Sequence, residues 1–227
     1  QVCKEIEALG GQATPSYDSV SDFDGAGKII QTAVEAFGQL DILVNNAGIV
    51  RDRTLVKMNE EDFDSVIGVH LRGSFLMTRA VQGHMTQERF GRIVNLSSTS
   101  AQGNRGQVNY SASKAGDIGF TKALAQEGAR AGITVNVICP GYIATEMVKA
   151  IDPAVLEKSI LPQIPVGRLG EPSEIARAVV FLAADDAGGG APHRDRELRG
   201  QARGQARARR RQPERAVTDS HASDPGA

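Results

Sequence analysis

Apolar residues along the chain follow two kinds of pattern, short continuous runs and longer segments with helical spacing. Helical spacing predicts an amphipathic helix at 21–37, with Ser21 and Asp24 as its capping pair, and further helices at 59–87, 108–130 and 172–184. The short apolar runs predict strands at 12–17, 40–45, 91–96 and 133–139. Strands that alternate with helices predict an α/β fold, in which helices cover both faces of a parallel sheet.

Composition supports one globular domain rather than a membrane or disulfide-rich protein. The chain has 227 residues, of which 41% are hydrophobic, and a formal net charge of -1. It has no apolar run long enough to span a bilayer and no signal-peptide pattern. Its two cysteines, Cys3 and Cys139, lie far apart in sequence and indicate neither a disulfide framework nor a metal site. We therefore expect a cytoplasmic protein that binds no metal and no membrane.

The last forty residues differ in composition from the rest of the chain. Residues 188–227 are rich in arginine, glycine and alanine, with nine arginines against five acidic residues. Leu198 and Val217 are the only large aliphatic residues there, too few to bury a core. We expect a domain at 1–187 and a disordered tail at 188–227. Aromatic residues do not alternate with the arginines, so we expect no nucleic-acid partner.

Tyr110 and Lys114 are the residues that most clearly indicate chemistry. They are four residues apart in a predicted helix, so they share one face. A phenol has a pKa near ~10, and a neighbouring cation lowers it. The preceding Ser97 and Ser98 add hydroxyls that could hold a substrate oxygen. The pattern predicts a proton-transfer site for a carbonyl compound or an alcohol.

Two turns of small residues support this interpretation. One buried strand ends in Asn45-Asn-Ala-Gly48, and another ends in Pro140-Gly141. Ligands of open parallel sheets bind at the carboxyl ends of the strands. Both turns and the serine pair follow predicted strands, so we expect them at the same edge of the sheet.

These motifs resemble the short-chain dehydrogenase/reductase family of single-domain Rossmann-type oxidoreductases. The resemblance covers about residues 1–187 and is carried by Asn45-Asn-Ala-Gly48, Ser98, Tyr110-x-x-x-Lys114 and Pro140–Thr145. The most similar subgroup is that of 3-oxoacyl-carrier-protein and acetoacetyl-CoA reductases. The resemblance implies hydride transfer between a nicotinamide cofactor, NADP or NAD with a mild lean to NADP, and a carbonyl or alcohol such as a 3-oxoacyl thioester. It also implies a homo-oligomer, a tetramer, in the intact form.

The resemblance also implies roles for four catalytic residues. Tyr110 would exchange the proton, and Lys114 would lower the pKa of Tyr110 and bind the nicotinamide ribose. The register of the strand favours Ser98 as the catalytic serine, although Ser97 has the family's usual separation from the tyrosine. His70 stands where the family has an asparagine in a proton relay. It could serve the same relay or only connect two backbone segments.

Further residues are candidates for binding cofactor and substrate. Asn45 is expected to be structural, joining neighbouring strands, and residues 142–168 are expected to form a substrate lid. The resemblance implies cofactor contacts, in addition to Tyr110 and Lys114, at Asp18, Ser19, Asn46, Ala47, Gly48, Pro140, Gly141, Ile143 and Thr145. Gln107 and Tyr142 are candidates for substrate contact.

Both ends of the sequence depart from the family. The family begins with a strand and a glycine-rich loop that binds the cofactor pyrophosphate, and neither occurs in this sequence. The family's last strand is replaced by the arginine-rich tail. We therefore expect a Rossmann-type sheet that is incomplete, without its first strands and its last strand. The alternative function is an inactive fragment that at most associates with intact relatives.

A frameshift in a GC-rich gene would explain the tail, and the coding DNA tests this. We expect another reading frame downstream of codon 187 to encode a Val-Thr-Gly-like strand that ends in Gly-Gly. If neither of the other two frames encodes such a segment, the frameshift hypothesis fails.

Overall fold

Three parallel strands form a sheet in the computed structural model, which describes residues 1–149 and 151–187. Strands β1 (Ile42–Asn45), β2 (Gly91–Leu96) and β3 (Ile133–Ile138) lie side by side in that order. Both pairs are parallel, with Ile42 opposite Arg92 and Gly91 opposite Ile133. The predicted α/β, Rossmann-type fold class is confirmed. The predicted tail at 188–227 lies outside the described residues.

Helices connect and flank the strands. Short π-helical segments at Gly68–Arg72 and Leu156–Ile160 and single 3₁₀ turns at Leu55–Lys57, Thr99–Gln102, Ala129–Ala131 and Leu161–Gln163 complete the connections. The α-helices are α1 (Val2–Ala8), α2 (Phe23–Phe37), α3 (Glu60–Ile67), α4 (Gly73–Glu88), α5 (Val108–Gly128), α6 (Glu146–Lys149), α7 (Pro153–Val155) and α8 (Pro172–Ala183). No helix in these described ranges is both long and apolar enough to cross a membrane.

Two local predictions for the N-terminal part are wrong. Residues 12–17 form no strand, and Pro15 there has no N–H to donate to a neighbouring strand. Helix α2 begins at Phe23, and its cap is the Asp22 carboxylate, which accepts a hydrogen bond from the Gly25 N–H at 2.7 Å. Ser21 and Asp24 are therefore not the capping pair.

The long helical region predicted at 59–87 is interrupted. A π-helical segment at Gly68–Arg72 separates α3 from α4. Such single turns in otherwise α-helical segments occur frequently at functional sites. The segment contains His70, which the sequence analysis had singled out.

The hydrophobic core lies between one face of the sheet and helices α2, α4 and α5. Successive side chains of a strand point to opposite faces, so Leu43, Ile93 and Val135 meet these helices. The core is completed by Ala26, Ile30, Leu76, Met77, Val81, Met85, Leu124 and Ile133.

On the other face of the sheet, Arg92 holds the end of α8. Its guanidinium is buried and donates hydrogen bonds to the carbonyls of Ala184 at 3.3 Å and Asp185 at 3.1 Å. It also lies over the ring of Phe90, 4.3 Å from the centroid. Buried charges need such partners, so these contacts position α8 against β2.

Two glycines that end helices before strands provide a matched stability test. Gly38 and Gly132 both have positive φ, 83° and 73°, where an L side chain is strained by about 1–2 kcal/mol. A Cβ at Gly38 meets no atom within 4 Å, whereas one at Gly132 lies 2.3 Å from the Arg89 carbonyl oxygen. We expect Gly132→Ala to lower the unfolding free energy by a further ~1–3 kcal/mol relative to Gly38→Ala. Urea unfolding of both variants checks this, and equal losses would contradict it.

Candidate active site

The first turn of α5 is fixed to two neighbouring segments by a buried asparagine. Asn109 donates hydrogen bonds to the carbonyls of Arg51 at 3.1 Å and Asp62 at 2.9 Å. Its own side-chain oxygen accepts from the Tyr110 N–H at 2.8 Å. These bonds hold Tyr110, which is half-buried, at the start of α5, next to the carboxyl ends of the strands.

The two serines after β2 point in different directions. The Ser97 hydroxyl is buried and donates to the Lys114 carbonyl at 2.7 Å. The Ser98 side chain is close enough to the Tyr110 hydroxyl to lower its pKa, and the Ser98 oxygen accepts from the Ser100 N–H at 3.1 Å. Side chains alternate along extended backbone, so only one of two adjacent serines can face the tyrosine. The geometry supports the choice of Ser98, whose catalytic role stays a prediction.

The Lys114 ammonium lies deep beside the end of β2. It donates to the Leu96 carbonyl and to Asp117 Oδ2, the latter at 3.2 Å. Its Nζ is 5.7 Å from the centroid of the Tyr110 ring. Burial lowers the pKa of Lys114, and the Asp117 carboxylate opposes that shift. Asp117 was missed in the sequence analysis, although it shares a helix face with Lys114, three residues away.

The expected lowering of the Tyr110 pKa by Lys114 is wrong for this structure. Burial raises the pKa of Tyr110 above its usual value of 10.0, and the Ser98 hydrogen bond opposes this only in part. The carboxylates of Asp52 and Asp117 raise it further. The Lys114 ammonium is paired with Asp117, and the Asp117 carboxylate is itself one of the groups that raise the pKa of Tyr110.

His70 lies against Tyr110. The two rings meet edge to face, with centroids 5.1 Å apart. His70 Nε2 is 2.8 Å from the carbonyl oxygen and 3.1 Å from the nitrogen of Ile49, so it does connect two backbone segments. Nδ1 is buried and has no hydrogen-bond partner among the described residues. A Cβ at position 48 would lie 2.5 Å from the His70 ring, which requires glycine there.

The candidate cofactor residues lie in exposed loops that follow the strands. Asn46, Ala47 and Gly48 directly follow β1, and all three are exposed. Pro140 and Gly141 follow β3, and the Pro140 carbonyl accepts from the Thr99 N–H at 3.0 Å. The loops after β2 and β3 are therefore hydrogen-bonded to each other at this edge of the sheet.

The remaining candidate cofactor residues lie in two other segments. Ile143 pairs with Gly170, and the Thr145 N–H donates to the Ile143 carbonyl at 2.7 Å, which shapes the loop after β3. Asp18 and Ser19 precede α2 and are exposed; their side chains bond to Ser16 at 3.0 Å and Ser21 at 2.9 Å. The cofactor roles of all these residues stay predictions.

Of the two candidate substrate residues, Gln107 has the more informative contacts. Its side-chain NH₂ donates to Asp52 at 2.8 Å, and its oxygen accepts from Asn104 at 2.9 Å. Gln107 thus joins the loop before α5 to the loop after β1. The Tyr142 carbonyl accepts from the Gly170 N–H at 2.9 Å. Neither substrate role is tested by these contacts.

Metal-binding groups are not found in the described ranges. There, no three His, Cys, Asp or Glu side chains are grouped as metal ligands would be. Cys3 and Cys139 are both free thiols.

Comparison with known proteins shows the family. A model described as enoyl-(acyl carrier protein) reductase matches residues 1–190. The chain belongs to the short-chain dehydrogenase/reductase family. It is therefore an oxidoreductase with a Rossmann-type fold, as the sequence motifs predicted.

Three relatives in this family illustrate the similarity. An acetoacetyl-CoA reductase of Shinella zoogloeoides is 55% identical over 186 residues, which cover 82% of this chain and 77% of the relative. One of Paracoccus denitrificans is 58% identical over 171 residues, covering 75% and 71%. A 3-oxoacyl-(acyl-carrier-protein) reductase of Thermotoga maritima is 46% identical over 184 residues, covering 81% and 74%.

The burial of His70 predicts a pH dependence of stability. Burial and the charge of Lys114 lower its pKa from 6.5 to about 4, so between these values the unfolded state binds more protons than the folded state. Stability is therefore lost as the pH falls from about 6.5 towards 4. Between pH 7 and pH 5 we expect a loss of about 2 kcal/mol that is absent in His70→Asn.

The exposed His84 provides the control. In urea unfolding at both pH values, His84→Asn should retain the parent's pH dependence. A His70→Asn variant that loses as much stability as the parent would contradict the assignment.

Proposed function

We propose that this protein reduces the carbonyl of a 3-oxoacyl thioester, such as an acyl-CoA, with a nicotinamide cofactor. The observation that carries the proposal is the juxtaposition of Tyr110 and Ser98, with the Lys114 ammonium near the tyrosine ring, at the edge where the parallel strands end. The names of the relatives, acetoacetyl-CoA reductase and 3-oxoacyl-(acyl-carrier-protein) reductase, support the substrate class. NADP is favoured over NAD only by the family resemblance.

The donor set around Lys114 fits a nicotinamide nucleotide. An ammonium has three N–H donors, and two of those of Lys114 go to Leu96 and Asp117. The third would bind a ribose hydroxyl. The exposed turn Asn46–Gly48, with Pro140, Gly141, Ile143 and Thr145, would line the nicotinamide side, and Asp18 and Ser19 the adenine side. When bound, the cofactor supplies the hydride.

Tyr110 would act as the general acid. Burial raises its pKa, so the phenol is protonated at neutral pH and can donate to the carbonyl oxygen as that oxygen becomes negative. The Ser98 hydroxyl would hold the same oxygen, and the charge of Lys114 would help to stabilise the tyrosinate that remains. Gln107 and Tyr142 would contact the acyl group.

His70 would help to return a proton to Tyr110. With a pKa of about 4 it is neutral at physiological pH, and one ring nitrogen bonds to Ile49. The other, Nδ1, has no partner in the described part of the chain, so it can hold a water. In this way the histidine would perform the relay for which the family has an asparagine, while also connecting backbone segments.

We also propose that the protein assembles as a homo-oligomer of four subunits. The exposed apolar side chains of Val180 and Phe181 on α8, 69% and 72% accessible, support an interface there.

Substitution of the tyrosine tests the proposed chemistry. We expect Tyr110→Phe to lower kcat for reduction of acetoacetyl-CoA by ~10²–10⁴-fold, because the proton donor is lost while the ring is retained. Cofactor affinity, measured by calorimetry, should change little. Rates should be measured with NADPH and with NADH as the cofactor, and with a thioester and with a simple ketone as the substrate. A parent protein that reduces no thioester with either cofactor would contradict the proposed function and favour the inactive alternative.

The two serines provide a matched pair. Ser98→Ala should lower kcat by ~10²-fold or more, because the carbonyl oxygen loses a hydrogen-bond donor. Ser97→Ala should mainly lower stability, by about 0.5–1.5 kcal/mol, because its hydroxyl bonds only the Lys114 carbonyl. Steady-state kinetics and thermal melts of both variants show which serine acts in catalysis and which one mainly stabilises the fold. A larger loss of kcat in Ser97→Ala would reverse the assignment.

A further inference from the structure

Asp117 is a buried carboxylate that the proposed reaction does not yet use. It lies on α5, on the face that carries Tyr110 and Lys114, and is 1% exposed. Its Oδ2 is 3.2 Å from Lys114 Nζ, and the two side chains are 1% and 7% accessible. Its Oδ1 is buried and has no partner in the described ranges.

Such a carboxylate is costly for the fold. Burying a charged group costs several kcal/mol, and a single ion pair with one oxygen unsatisfied does not fully offset this. The Leu96 carbonyl already accepts a hydrogen bond from Lys114. The need for a hydrogen-bond acceptor therefore does not by itself explain why Asp117 is there. What Asp117 adds is negative charge, at a position that fixes the direction of the ammonium.

We propose that Asp117 is a positioning residue that keeps Lys114 charged and holds it beside Tyr110. Its effect on catalysis rests on the proposed function, whereas the pairing with Lys114 does not. Together, Leu96 and Asp117 fix two N–H directions of the ammonium, and the third is left for a ligand. Loss of the carboxylate makes the Lys114 ammonium easier to deprotonate, and a neutral amine cannot stabilise a tyrosinate.

The other charged or titratable groups near Lys114 do not replace Asp117. Tyr110 on α5 is neutral at physiological pH, because burial raises its pKa. His70 on the π-helical segment is also neutral there, because its pKa is lowered to about 4. Cys139 follows β3 and would raise the pKa of Lys114 only as a thiolate. Asp117 is the largest influence that favours the charged lysine.

The test compares Asp117→Asn with the matched control Glu127→Gln, which removes an exposed acid from the same helix. The charge of Lys114 is followed by NMR of ¹⁵N-labelled lysine side chains over a pH series, with Lys114→Arg to assign the signal. We expect Lys114 in Asp117→Asn to lose its proton at least tenfold more readily, with the alkaline limb of kcat displaced by the same amount. Glu127→Gln should match the parent in both measurements.

The results separate this proposal from the proposed function. If Lys114 titrates alike in the parent and in Asp117→Asn, the positioning role is overturned. If the titration moves but no variant reduces a thioester, the pairing is supported and the proposed function fails.

A double variant covers the case in which Asp117→Asn does not fold. Lys114→Met combined with Asp117→Asn removes both members of the pair, so it should fold and melt cooperatively where Asp117→Asn alone does not. If the double variant is no more stable, Asp117 does not act through Lys114, and the proposal is overturned.

Discussion

The burial of one ammonium group constrains the arrangement of the whole candidate site. Helix α5 packs against β3 and brings Lys114 to the end of β2, where its ammonium is buried and poorly hydrated. A buried charge requires partners, and the structure supplies the Leu96 carbonyl and Asp117. The Ser97 hydroxyl binds the backbone of the same lysine, which leaves Ser98 to face Tyr110. The different orientations of Ser97 and Ser98 thus follow from the contacts that hold Lys114.

A buried polar network keeps the helix in register with the strands. Asn45 on β1 donates to Asn95 on β2 at 2.8 Å, and Asn95 donates to Thr121 on α5 at the same distance. The Thr121 hydroxyl donates to the Asp117 carbonyl at 2.7 Å. Buried hydrogen bonds of this kind are costly to leave unmade, so they favour one register over its alternatives. Asn45 therefore joins neighbouring strands, as the sequence analysis expected.

Sequence patterns predicted the strands near 40–45, 91–96 and 133–139 from short apolar runs, and the helix that carries Tyr110 from a longer segment with helical spacing. They failed where a few local contacts decide the outcome. Residues 12–17 have an apolar pattern that predicts a strand, but they pair with no strand in the described part of the chain. The π-helical turn at His70 leaves the apolar spacing on both sides of it unchanged, so that spacing alone does not reveal it. The direction in which the Tyr110 pKa is shifted also could not be predicted from the sequence. Spacing placed a cation nearby, but only the fold showed that Asp117 pairs with it.

In the reaction that we propose, Tyr110 and Ser98 together hold one substrate oxygen. A crystal structure of the protein with oxidised cofactor and a 3-hydroxyacyl thioester tests it most directly. We expect the 3-hydroxyl oxygen to lie within about 2.6–3.2 Å of both the Tyr110 and the Ser98 hydroxyls. A thioester bound with that oxygen beside other side chains, or with Ser97 in place of Ser98, would contradict it.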